Sequence, residues 1–256
     1  MTPALMAQQY PKHPIVEAVL QMRFGTPLSD GELKRVPHLL ASEYPKSKDE
    51  NEFQLKFRIE KGAPVGTPQP ERRDHGSRML SANDQRMVVI RQGYILYVFQ
   101  APYQGWDEFV DGARFVFDTV RDKIGYKEVT RLGLRYINRI DIPLKDDELY
   151  YPQDYLTIGA WRPPDGVTEN MRLFSAVVES DLSHDKLIAR VGTGTAEEAI
   201  ISHGSLLFDI DIISQVDVPK KPDDIWALLG RMRDAKNAIF ESGVTDKARQ
   251  LFGWKQ

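Results

Sequence analysis

Three arginines recur at every fourth position, Arg131, Arg135 and Arg139, within the stretch "RLGLRYINRI". Guanidinium groups are planar donor forks that match carboxylates and phosphates, so a row of them suits an anion or an acidic partner. In an extended chain successive side chains point to opposite faces. Arg131, Arg135 and Arg139 then share a face with Gly133 and Ile137, while Leu132, Leu134, Tyr136, Asn138 and Ile140 share the other. Same-face neighbours stand about 6.8 Å apart, which puts Arg135 and Arg139 ~13 Å apart. That is too far for one phosphate and suits an extended acidic segment. Arg135, Arg139, Tyr136 and Asn138 are the expected binding residues. The competing reading pairs the row with carboxylates on neighbouring strands, such as Glu17 or Glu60, at about 0.2–1 kcal/mol per cross-strand pair. Arg131, at the strand's start, is assigned to that structural role.

Other residues capable of chemistry fall short of a site. Asp209 and Asp211 in "FDIDI" share a strand face and could approach one hard cation. A third carboxylate is missing nearby, so a solvated face is the better reading and no metal site is expected. The five histidines, His13, His38, His75, His184 and His203, lack metal-ligand spacing. "VGTGTAEE" has Gly192 and Gly194 but neither the fuller glycine pattern nor the lysine of a phosphate loop, so it reads as a hairpin or bulge. A G-x-S-x-G elbow is absent. No catalytic residue and no cofactor is expected.

The bulk composition narrows the classes. The chain has 256 residues, a formal net charge of −3 and no cysteine. A disulfide framework, a thiolate metal site and a cysteine nucleophile are thereby excluded. The small negative charge gives no global attraction for nucleic acid or anionic membrane. The start, "MTPALMAQQYPKHP", lacks the basic and apolar runs of a signal peptide, and no window approaches the roughly 18 apolar residues of a membrane span. A soluble, cytoplasmic chain without membrane or nucleic-acid partner is expected; its oligomeric state is not legible.

The elements that must position these residues follow from periodicity. "HPIVEAVLQMRFG" alternates as a strand, and "LSDGELKRVPHLLASEYP" reads as a helix capped at Ser29 or Asp30 and kinked or split by Pro37. "NEFQLKFRIEKG" is a strand. The Gly/Pro-rich residues 62–76 predict a long mobile loop. Three short strands follow ("RMLSA", "RMVVIRQ", "YILYVFQ"), then a helix whose stripe runs from Trp106 through Phe109, Val116 and Phe117 to Ile124. Residues 144–170 read as a connector with one helical turn near Tyr155. "MRLFSAVVES", "KLIARVG" and "SLLFDIDIISQVDV" are strands, closed by the helix "DDIWALLGRMRDAKNAIFESG" and a short last helix. Strands 79–100 and 171–218 are each followed by a long amphipathic helix, with Trp106 and Trp226 in the first turns. This predicts an α+β fold: two strand-rich halves of antiparallel sheet, 1–145 and 146–256, each closed by a helix packed on the sheet, in one compact unit. The duplication is one of pattern, not of letters.

"YPKHPIVEA", "YQGWDEF" and "RLGLRYINRI" together resemble a sporadically distributed family of uncharacterised prokaryotic proteins of about this length. That family has a Pro-Ile-Val-Glu-Ala-like start, a Tyr-x-x-Trp-x-x-Phe helix entry and an Arg-x-Gly-Leu-Arg-Tyr-Ile-Asn strand. Here these fall on Pro14–Ala18, Tyr103–Phe109 and Arg131–Asn138. The resemblance covers the first half well and the second loosely. It implies a defence, mobile-element or toxin–antitoxin context and supplies no catalytic residue.

The expected function is non-enzymatic recognition of a protein partner, of antitoxin, immunity or regulatory kind. One alternative is a nucleotide- or phosphate-processing enzyme using the charged sheet face. The strand that opens such enzymes carries Glu-x-Glu-x-Lys, and here only Glu17 is present. Another is a small-molecule binder with a pocket between sheet and helices, lined by Trp106, Tyr97, Tyr136 and Trp226.

Overall fold

The computed structural model describes residues 10–60, 63–145, 150–158, 173–182, 186–197 and 200–255, with backbone alone for 51–75. Alternating strands and amphipathic helices assemble into an α+β fold. Nine strands form an antiparallel sheet in the order β2-β3-β4-β5-β1-β6-β9-β8-β7, with four α-helices among the described residues. The chain divides into two compact units. One comprises Met1–Leu20, Gln100–Gln104 and Thr130–Gln256; the other comprises Gln21–Phe99 and Gly105–Val129. The halves read from the sequence, 1–145 and 146–256, differ from these units in where residues 1–20, 100–104 and 130–145 fall.

The unit of residues 21–99 and 105–129 contains α1 (Asp30–Leu40), β2 (Lys46–Glu60), β3 (Ala63–Leu80), β4 (Arg86–Arg91), β5 (Tyr94–Gln100) and α2 (Trp106–Ile124), and takes the end of β1 (Ile15–Phe24). A capping box starts α1: the Ser29 hydroxyl accepts the Glu32 N–H, and the Glu32 carboxylate accepts the Ser29 N–H at 2.7 Å. These bonds, with Lys127 beside them, hold the Glu32 carboxyl down to about 2. Pro37 lies inside α1 without splitting it; Leu33, Val36 and Leu40 are buried on either side. The apolar stripe of α2 is buried at Phe109, Ala113, Val116, Phe117 and Val120. Gly112 brings α2 so close to β5 that a Cβ there would overlap the Tyr97 hydroxyl.

The loop expected over 62–76 is a correction. From Ala63 onward those residues belong to β3, paired antiparallel with β2 from Lys46↔Leu80 to Glu60↔Ala63, with register shifts at Glu52/Phe53 and Lys56/Arg58. Proline is tolerated there for a reason. Only Gly76–Leu80 of β3 pair with β4, so Pro64, Pro68 and Pro70 lie in the part of β3 that borders β2 alone. A strand with one open side can do without the N–H that proline lacks.

The other unit contains most of β1, β6 (Val129–Pro143), a single 3-10 turn at Pro152–Asp154, β7 (Ser175–Asp181), β8 (Ile188–Thr195), β9 (His203–Ser214), α3 (Pro222–Gly243) and α4 (Asp246–Leu251). Gly192 and Gly194 lie inside β8. The inner face of β6 and β9 is fully buried at Leu134, Ile140, Leu206, Ile210 and Ile212. Helix α3 lies on it: Phe240 stacks on Phe208 at 5.9 Å, and the absence of a side chain at Gly243 makes room for the Phe208 ring. Among the described residues no helix is long and apolar enough to cross a membrane.

Candidate functional site

Strand β6 has the two-sided character that its alternation dictates. Its partner β9 sets Asp211 opposite Arg135 and Asp209 opposite Ile137. Direct partners in an antiparallel ladder face the same way, so both aspartates meet the arginine row. Arg135 donates from Nε and Nη2 to the two carboxylate oxygens of Asp209, at 2.8 and 2.5 Å. Arg131 lies 3.9 Å from Asp211. Arg139 donates to Asp141 at 2.8 Å, to the Ser205 hydroxyl at 3.1 Å and to the Glu197 carbonyl at 3.0 Å. On the next strand Arg190 stands opposite Asp211 and, on its other side, opposite Glu179.

The row is therefore a charge-alternating lattice. Burial pushes the Asp211 carboxyl up despite Arg131 and Arg135, with Asp209 adding to the rise. Burial likewise raises Glu17, which feels Arg135 and Asp209. Burial also works against the Asp141 charge, but the Ser205 hydroxyl and the Arg139 guanidinium outweigh it and hold that carboxyl below its ordinary value. Arg131 and Arg139 are each 21% exposed, and Arg135 is 47% exposed. Among the described residues no group of three or more His, Asp or Glu side chains is placed to hold a metal ion.

No family model matches this chain, and no curated protein matches it.

The other face of β6 is the core face. Asn138 is 2% exposed and donates from Nδ2 to the Phe208 carbonyl at 2.9 Å. Tyr136 is 1% exposed; its hydroxyl lies 2.9 Å from that of Tyr103, and burial with that neighbour raises its pKa well above 10. The four expected binding residues thus divide, with Arg135 and Arg139 on the charged face and Tyr136 and Asn138 in the core. The side chain of Glu60, one expected partner of the arginines, lies outside the described residues. Of the residues proposed to line a pocket, Tyr97 and Trp106 fall in one unit, and Tyr136 and Trp226 in the other.

Sequence reading missed two features. Lys236 is 8% exposed and places its ammonium over the Tyr136 ring, 4.2 Å from the centroid. Its signal was available: it stands four residues from Met232 and four from Phe240, in the middle of the apolar stripe of α3. The second is β7, which ends the sheet order and is open on both faces. Val177 and Val178, pointing to opposite sides, are 58% and 53% exposed.

Proposed function

We propose that the protein is a non-enzymatic module that recognises a protein partner, and that β7 with the charged face beside it is the docking surface. The observation that carries this reading is the state of β7. An end strand presents a row of backbone donors and acceptors, and proteins usually guard such an edge with charge, proline or a covering element. Here the first half of β7 holds exposed Val177 and Val178 with no strand beyond it among the described residues. An added partner strand takes its affinity from main-chain bonds and its specificity from alternate side chains. The valines would give it apolar contacts. Exposed Glu179 and Asp181 at the strand's far end favour a partner segment with lysine or arginine there.

The arginine row enters this reading as a rim. Arg135 is the most exposed of the three and can exchange Asp209 for a partner carboxylate; Arg139 is held by three acceptors and serves orientation. The resemblance to a sporadically distributed prokaryotic family supports a regulatory, immunity or antitoxin setting. The recurrence of strands closed by a long helix, α2 in one unit and α3 in the other, is our ground for reading a duplicated architecture.

The test begins with affinity capture from the native cells, using the wild-type chain, a Val178→Pro variant and a Val177→Lys/Val178→Lys variant. Captured proteins are then purified and titrated against each form. Loss of binding in both variants, with unchanged melting curves, is the expected result. A purified partner that binds both variants as tightly as the wild type would remove β7 from the interface.

A further inference from the structure

Lys236 is a buried cation whose ammonium meets the Tyr136 ring and, among the described residues, no hydrogen-bond or ion-pair partner. Its ammonium has three donors, and the Tyr136 ring face occupies one side of it. No carboxylate among the described residues contacts it. The acidic charge on the same helix that acts on it, Glu241, is engaged elsewhere: it accepts from the Tyr10 hydroxyl at 2.8 Å and lies 3.5 Å from Arg249. Arg233, one turn earlier on α3 and half-buried, adds a second positive charge that acts on both Lys236 and Tyr136. Burial, reinforced by Arg233 and opposed by Glu241, pushes the lysine down to about 8. A buried charge is ordinarily paired or bonded to a ligand, because leaving it alone is costly.

The surroundings lead outward. Tyr136 touches Tyr103 through their hydroxyls, Tyr103 is half-buried, and exposed His13 lies edge-on to the Tyr103 ring at 6.5 Å. All of these groups belong to one unit. We propose that Lys236, with Arg233 and the Tyr103–Tyr136 hydroxyl pair, forms a binding site for the oxyanion head, carboxylate or phosphate, of a small molecule. The head would sit on the open side of the ammonium, in the field of both cations, with the hydroxyl pair offering one hydrogen, the other being used between the two oxygens. Aromatic walls favour an apolar body behind the head. The site is independent of partner recognition at β7.

The test is thermal unfolding of the full chain in sodium benzoate, in potassium phosphate and in sodium chloride at matched ionic strength. One of the two oxyanions is expected to raise the wild-type midpoint by several degrees over chloride. Benzoate alone would assign a carboxylate, and phosphate alone a phosphate head. Lys236→Met should abolish the rise, whereas Lys186→Met, at an exposed lysine paired with Asp217, should keep it. No rise over chloride in the wild type, or an undiminished rise in Lys236→Met, overturns the proposal. If Lys236→Met does not fold, acetic anhydride labelling of the wild type decides. The effective oxyanion should slow acetylation of Lys236 several-fold and leave Lys186 unchanged, and equal labelling with and without it refutes the site.

Discussion

Arg139 donates to Asp141, to Ser205 and to a backbone carbonyl, whereas half-exposed Arg135 meets Asp209. The two arginines are equivalent in the sequence and unequal in the fold. Removing Arg139 leaves the half-buried Asp141 carboxylate and the Ser205 hydroxyl with only their bond to each other and takes a charged donor from the Glu197 carbonyl, so Arg139→Ala should cost about 1–3 kcal/mol. Arg135→Ala, at a solvent-screened pair, should cost about 0–1 kcal/mol. Urea melts of the two variants check the order; equal losses would mean that the lattice acts as a unit. Lys236 gives a pH signature. Its native pKa of about 8 lies below the ordinary 10.5, so the unfolded chain binds more protons between those values. Stability should therefore rise as pH increases from about 8 to 10.5, as the native penalty on the charged form is relieved. A shift of that size corresponds to about 3 kcal/mol, so Lys236→Met should be more stable at neutral pH and lack the rise. Melts at stepped pH test both statements. The two faces of β6 were legible because alternation assigns them without a partner. The aspartates that meet the arginines were not, because Arg135 and Asp209 are 74 residues apart and only register brings them together.

Helices α2 and α3 each carry an internal glycine, and the two have opposite roles. At Gly112 a methyl group would collide with Tyr97; at Gly230 it would meet open space. Gly112→Ala should force α2 away from β5 and cost about 1–3 kcal/mol or more. Gly230→Ala should stabilise by roughly 0.4–1 kcal/mol through helix propensity and a less flexible unfolded chain. Paired denaturant melts decide, and a neutral Gly112→Ala would show that the helix can shift at no cost. Both helices were legible from their apolar stripes, which depend on local period alone. Strand β3 ahead of its end at "RMLSA" was not, because its Gly and Pro content is the ordinary mark of a loop. The rule fails where a long strand borders a single neighbour, since proline then needs no ladder bond on its open side. Strand β7 was anticipated as a strand but not as an open edge; sheet order is a property of pairings distant in sequence.

The units are discontinuous in the sequence, and β6 shows what that implies. Its partner β9 begins at His203, far beyond the 1–145 boundary suggested by composition and pattern. In a 1–145 fragment the alternate β6 amides turned toward β9 should exchange freely with deuterium, although they are protected in the full chain. Retained protection in the fragment would show that β6 is held without β9. A longer separation has a consequence for how the protein is made. Tyr10 bonds Glu241, and the Lys12 N–H donates to the Phe252 carbonyl. A ribosome adding about 5–20 residues per second leaves roughly ten to fifty seconds between the appearance of the first pair member and the last. Residues 21–129 have all emerged well within that interval. The segment around Tyr10 meanwhile waits without its partner, a natural target for a chaperone or a protease until the closing helix arrives.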